Sequence, residues 1–174
     1  MRKVTYGGAV SLDGYLTGPD EAMDWLLWSD DAKTISAESW KGVDTILMGR
    51  KTWEFAMRSG GGGGGASKIR TWVFSRTMEA APEGVGLVRE DAAGFVHGLK
   101  AQPGGDIIVM GGGELGAALI AGGAVDEIGL NVHPLLLGGG TLAFPAIGTR
   151  VGLTLIEARP IARDCVFLRY AVAT

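Results

Sequence analysis

Apolar positions along this chain come in short runs, broken by glycine and polar turns, and the runs alternate with segments of helical character. Val4 to Val10 predicts a strand that meets a turn at Asp13-Gly14. Ser29 is placed to cap a helix over Asp30 to Trp40, with two acids in its first turn and Gly42 past its end. Thr45 to Met48 is a short apolar run and predicts a buried strand. A short helix over Thr52 to Met57 follows, then a strand over Thr71 to Phe74 and a helix over Asp91 to Lys100. Ile107 to Met110 predicts another buried strand, leading through Gly111-Gly112-Gly113 into a helix over Leu115 to Ala121. Ile128 to Val132 is again strand-like, and Leu153 to Ala158 and Cys165 to Val172 flank Pro160 and Arg163-Asp164 as a hairpin does.

Strands alternating with helices predict an α/β fold, a mixed but mostly parallel sheet flanked by helices. The last hairpin adds an antiparallel edge. No repeat or second composition appears, so residues 1–174 are expected to form one domain. Ile107 to Val125 is apolar over 19 residues, yet it holds six glycines and Glu114. A strand, turn and helix account for it better than a membrane span. Met1 to Leu12 lacks the unbroken apolar stretch and cleavage site of a signal peptide.

Composition sharpens this picture at one point. Glycine makes up 30 of 174 residues, against a usual share of about 7%. The chain is otherwise rich in apolar residues, at 47%, which argues against disorder. Gly60 to Gly65 reads as a flexible loop; the remaining glycines must serve turns or close approaches. Net charge is −3, so no general attraction for nucleic acid or acidic membranes is expected. Cys165 is the only cysteine, which fits a reducing, cytoplasmic setting.

Candidate chemistry gathers at the carboxyl ends of three strands, where open α/β sheets bind ligands. Gly49-Arg50-Lys51-Thr52 combines a glycine turn, a helix start and two cations, which suits a phosphate. Ser75-Arg76 places a hydroxyl beside a guanidinium. Gly111-Gly112-Gly113-Glu114-Leu115-Gly116 matches G-x-G-x-x-G between a strand and a helix. It reads either as a pyrophosphate cradle or as a tight structural turn. A standard NAD-binding Rossmann domain is rejected, because the next strand ends at Asn131-Val132-His133 without the acid that holds a ribose. His97 and His133 have no partner at metal-ligand spacing, so no metal is expected. His133 reads as structural, and Cys165 as core.

The Ser11-Leu12-Asp13-Gly14-Tyr15 segment, Ile46 to Trp53, Ser75-Arg76, Met110 to Gly113, Val125-Asp126-Glu127 and Pro134 to Gly140 together resemble the dihydrofolate reductase-like superfamily. The nearest branch is the riboflavin-biosynthesis reductase domain (RibD C-terminal domain) and its stand-alone relatives. The resemblance spans Lys3 to Tyr170. It implies an NADPH-dependent reductase, usually a homodimer, acting on a small planar heterocycle, pterin-like or pyrimidine-like. Ala9 and Leu16 would border the nicotinamide. Gly49, Arg50, Lys51, Thr52, Ser75 and Arg76 would hold the adenosine 2′-phosphate and neighbouring phosphates. Met110, Gly111, Gly112, Gly113, Glu114 and Leu115 would approach the pyrophosphate.

Two positions depart from the riboflavin-pathway pattern. Met110 stands where a glutamate is usual, and Gly7 where a lysine is usual. The ribosylaminopyrimidine substrate is thereby in doubt, and a nucleotide-binding paralogue without reductase chemistry is the alternative. Dihydrofolate reductases proper carry a carboxylate on the first helix; Asp30 and Asp31 fall near that place and are the candidate proton donors. Their other reading is stabilisation of the helix dipole. Trp25 and Asn131 are the residues expected to face substrate. Trp28 and Trp40 read either as walls for a flat ring or as core.

Overall fold

The computed structural model describes residues 1–60 and 69–173. Gly61 to Gly65 of the expected glycine loop lie outside the described residues. In chain order the elements are β1 (Val4–Ser11), β2 (Tyr15–Thr17), α1 (Asp30–Ser39), β3 (Val43–Gly49), α2 (Arg50–Arg58), β4 (Arg70–Phe74) and β5 (Val85–Val88). They continue with α3 (Ala92–Lys100), β6 (Asp106–Met110), α4 (Gly113–Ala121), β7 (Glu127–His133), β8 (Thr141–Leu142), β9 (Leu153–Ile161) and β10 (Cys165–Val172).

Eight strands form one sheet in the order β5-β4-β3-β6-β1-β7-β10-β9. The pairings from β5 through to β7 are parallel, and β10 runs antiparallel to both β7 and β9. The mixed sheet with an antiparallel hairpin at its C-terminal edge is the architecture the pattern predicts. Pro160 lies inside β9 rather than in the turn, which an edge strand permits because no ladder bond needs its missing N–H. Three strands were not foreseen: β2 and β8, a separate short pair, and β5. Each is short, at 3, 2 and 4 residues, too brief for a periodic signal.

Alternation along β1 divides the sheet into two faces. Val4 and Tyr6 point to the side covered by α3 and α4, where they are fully buried with Leu47, Ile107, Val109 and Leu119. Tyr6 donates its hydroxyl to the Ala143 carbonyl at 2.7 Å, so the buried phenol is satisfied. Gly116 lets α4 lie against that ring, since a Cβ there would stand 2.5 Å from the phenol carbon. The opposite face is less filled. There α1 docks Ile35 onto Ile161, Cys165 and Phe167 at the hairpin side.

The amino end of the sheet is closed by charge. The Arg2 side chain is 1% exposed, ion-paired to Asp44, and donates to the Gly105 carbonyl and Thr45 Oγ1, each at 2.6 Å. Burial pushes the Asp44 pKa up. Hydrogen bonds from the Thr45 hydroxyl and Gly105 N–H, with Arg2 and Arg70, outweigh this and hold it below its usual value. Arg2→Ala removes one of the two cations beside Asp44 among the described residues and the buried bonds to Gly105 and Thr45, and urea titration is expected to show a loss of about 1–3 kcal/mol. Because the folded state binds the Asp44 proton more weakly, its contribution is present at neutral pH. It is lost as pH falls below about 4, and Asp44→Asn flattens that part of the stability–pH curve.

Candidate active site

Parallel pairing puts the carboxyl ends of β3, β4, β6 and β1 along one edge. A cleft of about 1460 Å³ opens there and runs back beneath α1. A single small ligand usually occupies about 300–1,000 Å³, so there is room for a dinucleotide and a substrate.

Helix starts differ from one another along the cleft. α1 is capped by the Ser29 side chain and α3 by that of Asp91. The caps of α2 and α4 are Gly49 and Gly112, and neither makes a side-chain capping bond. Both glycines line the cleft. They adjoin one another: a Cβ built on Gly112 would lie 3.7 Å from the Gly49 nitrogen. Two sets of first-turn N–H groups therefore converge on one spot, with positive dipole ends. Gly111 and Gly112 reach it with φ of +55° and +62°.

Cationic side chains ring the same spot. Arg50, Lys51 and Arg76 are exposed and line the cleft, with Thr52 and Ser75 beside them. Arg50 Nε is 2.6 Å from Glu54 Oε1, and its Nη1 donates to Thr77 Oγ1 at 3.2 Å, which ties α2 to the loop after β4. Ser75 Oγ accepts the N–H groups of Thr77 and Met78, fixing the turn that presents Arg76. Arg89, after β5, also lines the cleft and was missed in the sequence, because β5 itself was missed. Residues 110–115 complete this end, Glu114 among them.

The other end is built from the emptier sheet face. Ala9 is the register partner of Asn131, which in turn opposes Phe167. All three line the cleft, as do Met110, Leu16 from β2, Trp28 and Trp40. Asn131 Oδ1 is buried and has no hydrogen-bond partner among the described residues.

Asp30, Asp31 and Trp25 stand apart from the cleft lining. The Asp30 side chain is 97% exposed and pairs with Lys33 at 2.9 Å. Asp31 Oδ2 accepts the Ala162 N–H at 2.9 Å, joining α1 to the turn after β9. Trp25 packs edge-on to His133 at 5.1 Å, and its Nε1 donates to the Ala22 carbonyl. His133 is buried, and burial pushes its pKa down, so the ring is neutral at pH 7. Its Nδ1 accepts the Leu27 N–H at 3.4 Å and lies 3.7 Å from the buried Cys165 sulfur, so both side chains belong to the core beneath α1.

The family model for the RibD C-terminal domain matches residues 2–167. The chain belongs to that family. It is similar to Uncharacterized protein YyaP of Bacillus subtilis (28% identity; 98% of this chain, 95% of that one). It is also similar to Uncharacterized protein YwjB of the same species (30% identity; 88% and 89%). Among solved structures it resembles a putative riboflavin biosynthesis protein from Shewanella sp. PV-4 over the full length of both chains, with TM-score 0.84 and 22% identity. A dihydrofolate reductase from Enterococcus faecalis complexed with NADP(H) superposes with TM-score 0.71 at 17% identity, covering 99% of this chain and 97% of that one. A Thermotoga maritima deaminase/5-amino-6-(5-phosphoribosylamino)uracil reductase matches with TM-score 0.73 at 14% identity; 99% of this RibD-family chain covers 57% of it. These likenesses establish the shared fold.

Glycine at the cleft is a steric requirement that mutation can read. A Cβ at Gly111 would sit 2.7 Å from Thr52 Oγ1, on a backbone already at positive φ. Gly111→Ala is expected to cost about 1–3 kcal/mol in thermal or urea unfolding. Gly98, inside α3 with open space around its Cβ position, is the control: Gly98→Ala gains up to about 1 kcal/mol.

Proposed function

We propose that this chain is an NADPH-dependent reductase of a small planar heterocycle, pterin-like or pyrimidine-like. The observation that carries the reading is the convergence of two uncapped helix N-termini inside a cation-rimmed pocket. That pocket continues into an apolar slot floored by the sheet. The residues fit the group. Arg50, Lys51, Thr52, Ser75 and Arg76 bind the 2′-phosphate, which wants a guanidinium where a free ribose hydroxyl wants an acid. The N–H groups at Gly111, Gly112, Gly113, Glu114 and Leu115 hold the pyrophosphate. Ala9 and Leu16 orient the ring end, and Asn131 faces the substrate. Bound NADPH supplies the hydride. The protein supplies stacking geometry and excluded water.

Asp30 and Asp31 are not needed as proton donors in this reading, since their carboxylates are engaged outside the cleft. The rival reading, a nucleotide-binding paralogue without turnover, draws on the lack of an acid or histidine at the apolar end among the described residues. Oxidation of NADPH by any one of dihydrofolate, pterins, flavins or aminopyrimidines removes the rival. A homodimer in a reducing cytosol belongs to the same proposal; the exposed Leu153, Leu155 and Ile156 on edge strand β9 suit a subunit contact.

NADPH is expected to raise the melting temperature more than NADH at equal concentration, by mass action on the folded state. Equal or absent shifts overturn the cofactor assignment. Arg50→Ala should weaken NADPH at least about tenfold while leaving NADH nearly unchanged, as loss of a charged phosphate contact implies. An unchanged preference removes Arg50 from the phosphate site.

A further inference from the structure

The cleft is divided electrostatically, and the division defines its second ligand. Among the described residues, every charged side chain that lines it lies on α2, on the loops after β2, β4 and β5, or at the start of α4. The lining contributed by β1, β6, β7, β10 and α1 holds no charged side chain. Part of the floor there is bare backbone: Gly7 and Gly129 are register partners, and a Cβ on Gly7 would overlap the Gly129 carbonyl oxygen. A side chain at position 7 would require the β1 and β7 backbones to shift apart. Thr5, Ser36, Ser39 and Asn131 are the polar side chains of this surface, and of these the Asn131 carboxamide has a buried oxygen with no partner among the described residues.

Resting on the reductase reading, we infer that the substrate is an uncharged, phosphate-free flat ring with an amide-like edge. Its face lies on the Gly7–Gly129 backbone, and its edge pairs with Asn131. An adjacent ring N–H and C=O present one donor and one acceptor, which a carboxamide matches with its own acceptor and donor. A phosphate or carboxylate on the ring finds no cation among the described residues at this end and loses its hydration without replacement. The structure thereby assigns substrate discrimination to three positions: Gly7, Gly129 and Asn131.

Calorimetric titration tests this with lumazine, a neutral bicyclic ring bearing such edges, and 6-carboxylumazine, its anionic counterpart. Each is titrated into the protein with and without saturating NADP⁺. Lumazine is expected to bind at least about tenfold more tightly than the carboxylate. Asn131→Leu is expected to weaken lumazine at least about tenfold while leaving NADP⁺ affinity intact, which also reports that the variant is folded. Equal or tighter binding of 6-carboxylumazine overturns the inference without any variant. So does undiminished lumazine binding by Asn131→Leu, or no lumazine binding beside normal NADP⁺ binding. Absent NADP⁺ binding instead overturns the reductase reading.

Discussion

The parallel pairing of β1 with β6 and β7 is the constraint on which the rest depends. Parallel neighbours cannot be joined by a hairpin, so the chain must return to the opposite edge between strands. Each return is made by a helix or loop, and each outgoing connection leaves from the same edge. The glycine turns after β3 and β6 and the cations after β3 and β4 are distant in sequence yet meet in one cleft. Burial of Val4 and Tyr6 at 0% exposure fixes β1 in the centre and thereby fixes its register with both neighbours.

That constraint also separates stability from function along the strands. At the amino edge, charges are consumed by structure: Arg2 with Asp44, and Lys100 with Asp126 at 2.7 Å. Asp126 Oδ2 further accepts the Val4 N–H at 2.8 Å, pinning the start of β1. At the carboxyl edge, the starts of α2 and α4 have no side-chain cap, and Lys51 and Arg76 are exposed. In the proposed function, a ligand with several negative charges would complete the second edge as ion pairs complete the first.

Much of this was legible in the sequence. Gly49 and Gly112 stood out because glycine between a strand and a helix start has a backbone meaning that does not depend on long-range packing. The hairpin of β9 and β10 was legible because the turn residues are local; Arg163 and Asp164 adopt φ of 66° and 58° there. What could not be read was the placement of α1. Its first turn is set by Ile35 docking against Cys165 and Phe167, contacts more than 100 residues apart in the chain. Neither the exposure of Asp30 nor the bond from Ala162 to Asp31 has any local sequence sign. Gly7 and Gly129 were likewise invisible as a pair until the register of β1 against β7 placed them side by side. Membership of the RibD C-terminal domain family explains the shared scaffold, while Gly7 and Met110 mark where this chain shapes its own slot.

Backbone amide NMR during titration tests most directly the proposal that one edge of one sheet reads a phosphorylated dinucleotide. With NADPH, shifts are expected to concentrate at residues 49–52 and 111–115, and at Arg76. NADH should reproduce the 111–115 set but leave Arg76 largely unmoved. Shifts confined to the amino edge around Arg2 and Asp44, or the same pattern for both nucleotides, would contradict it.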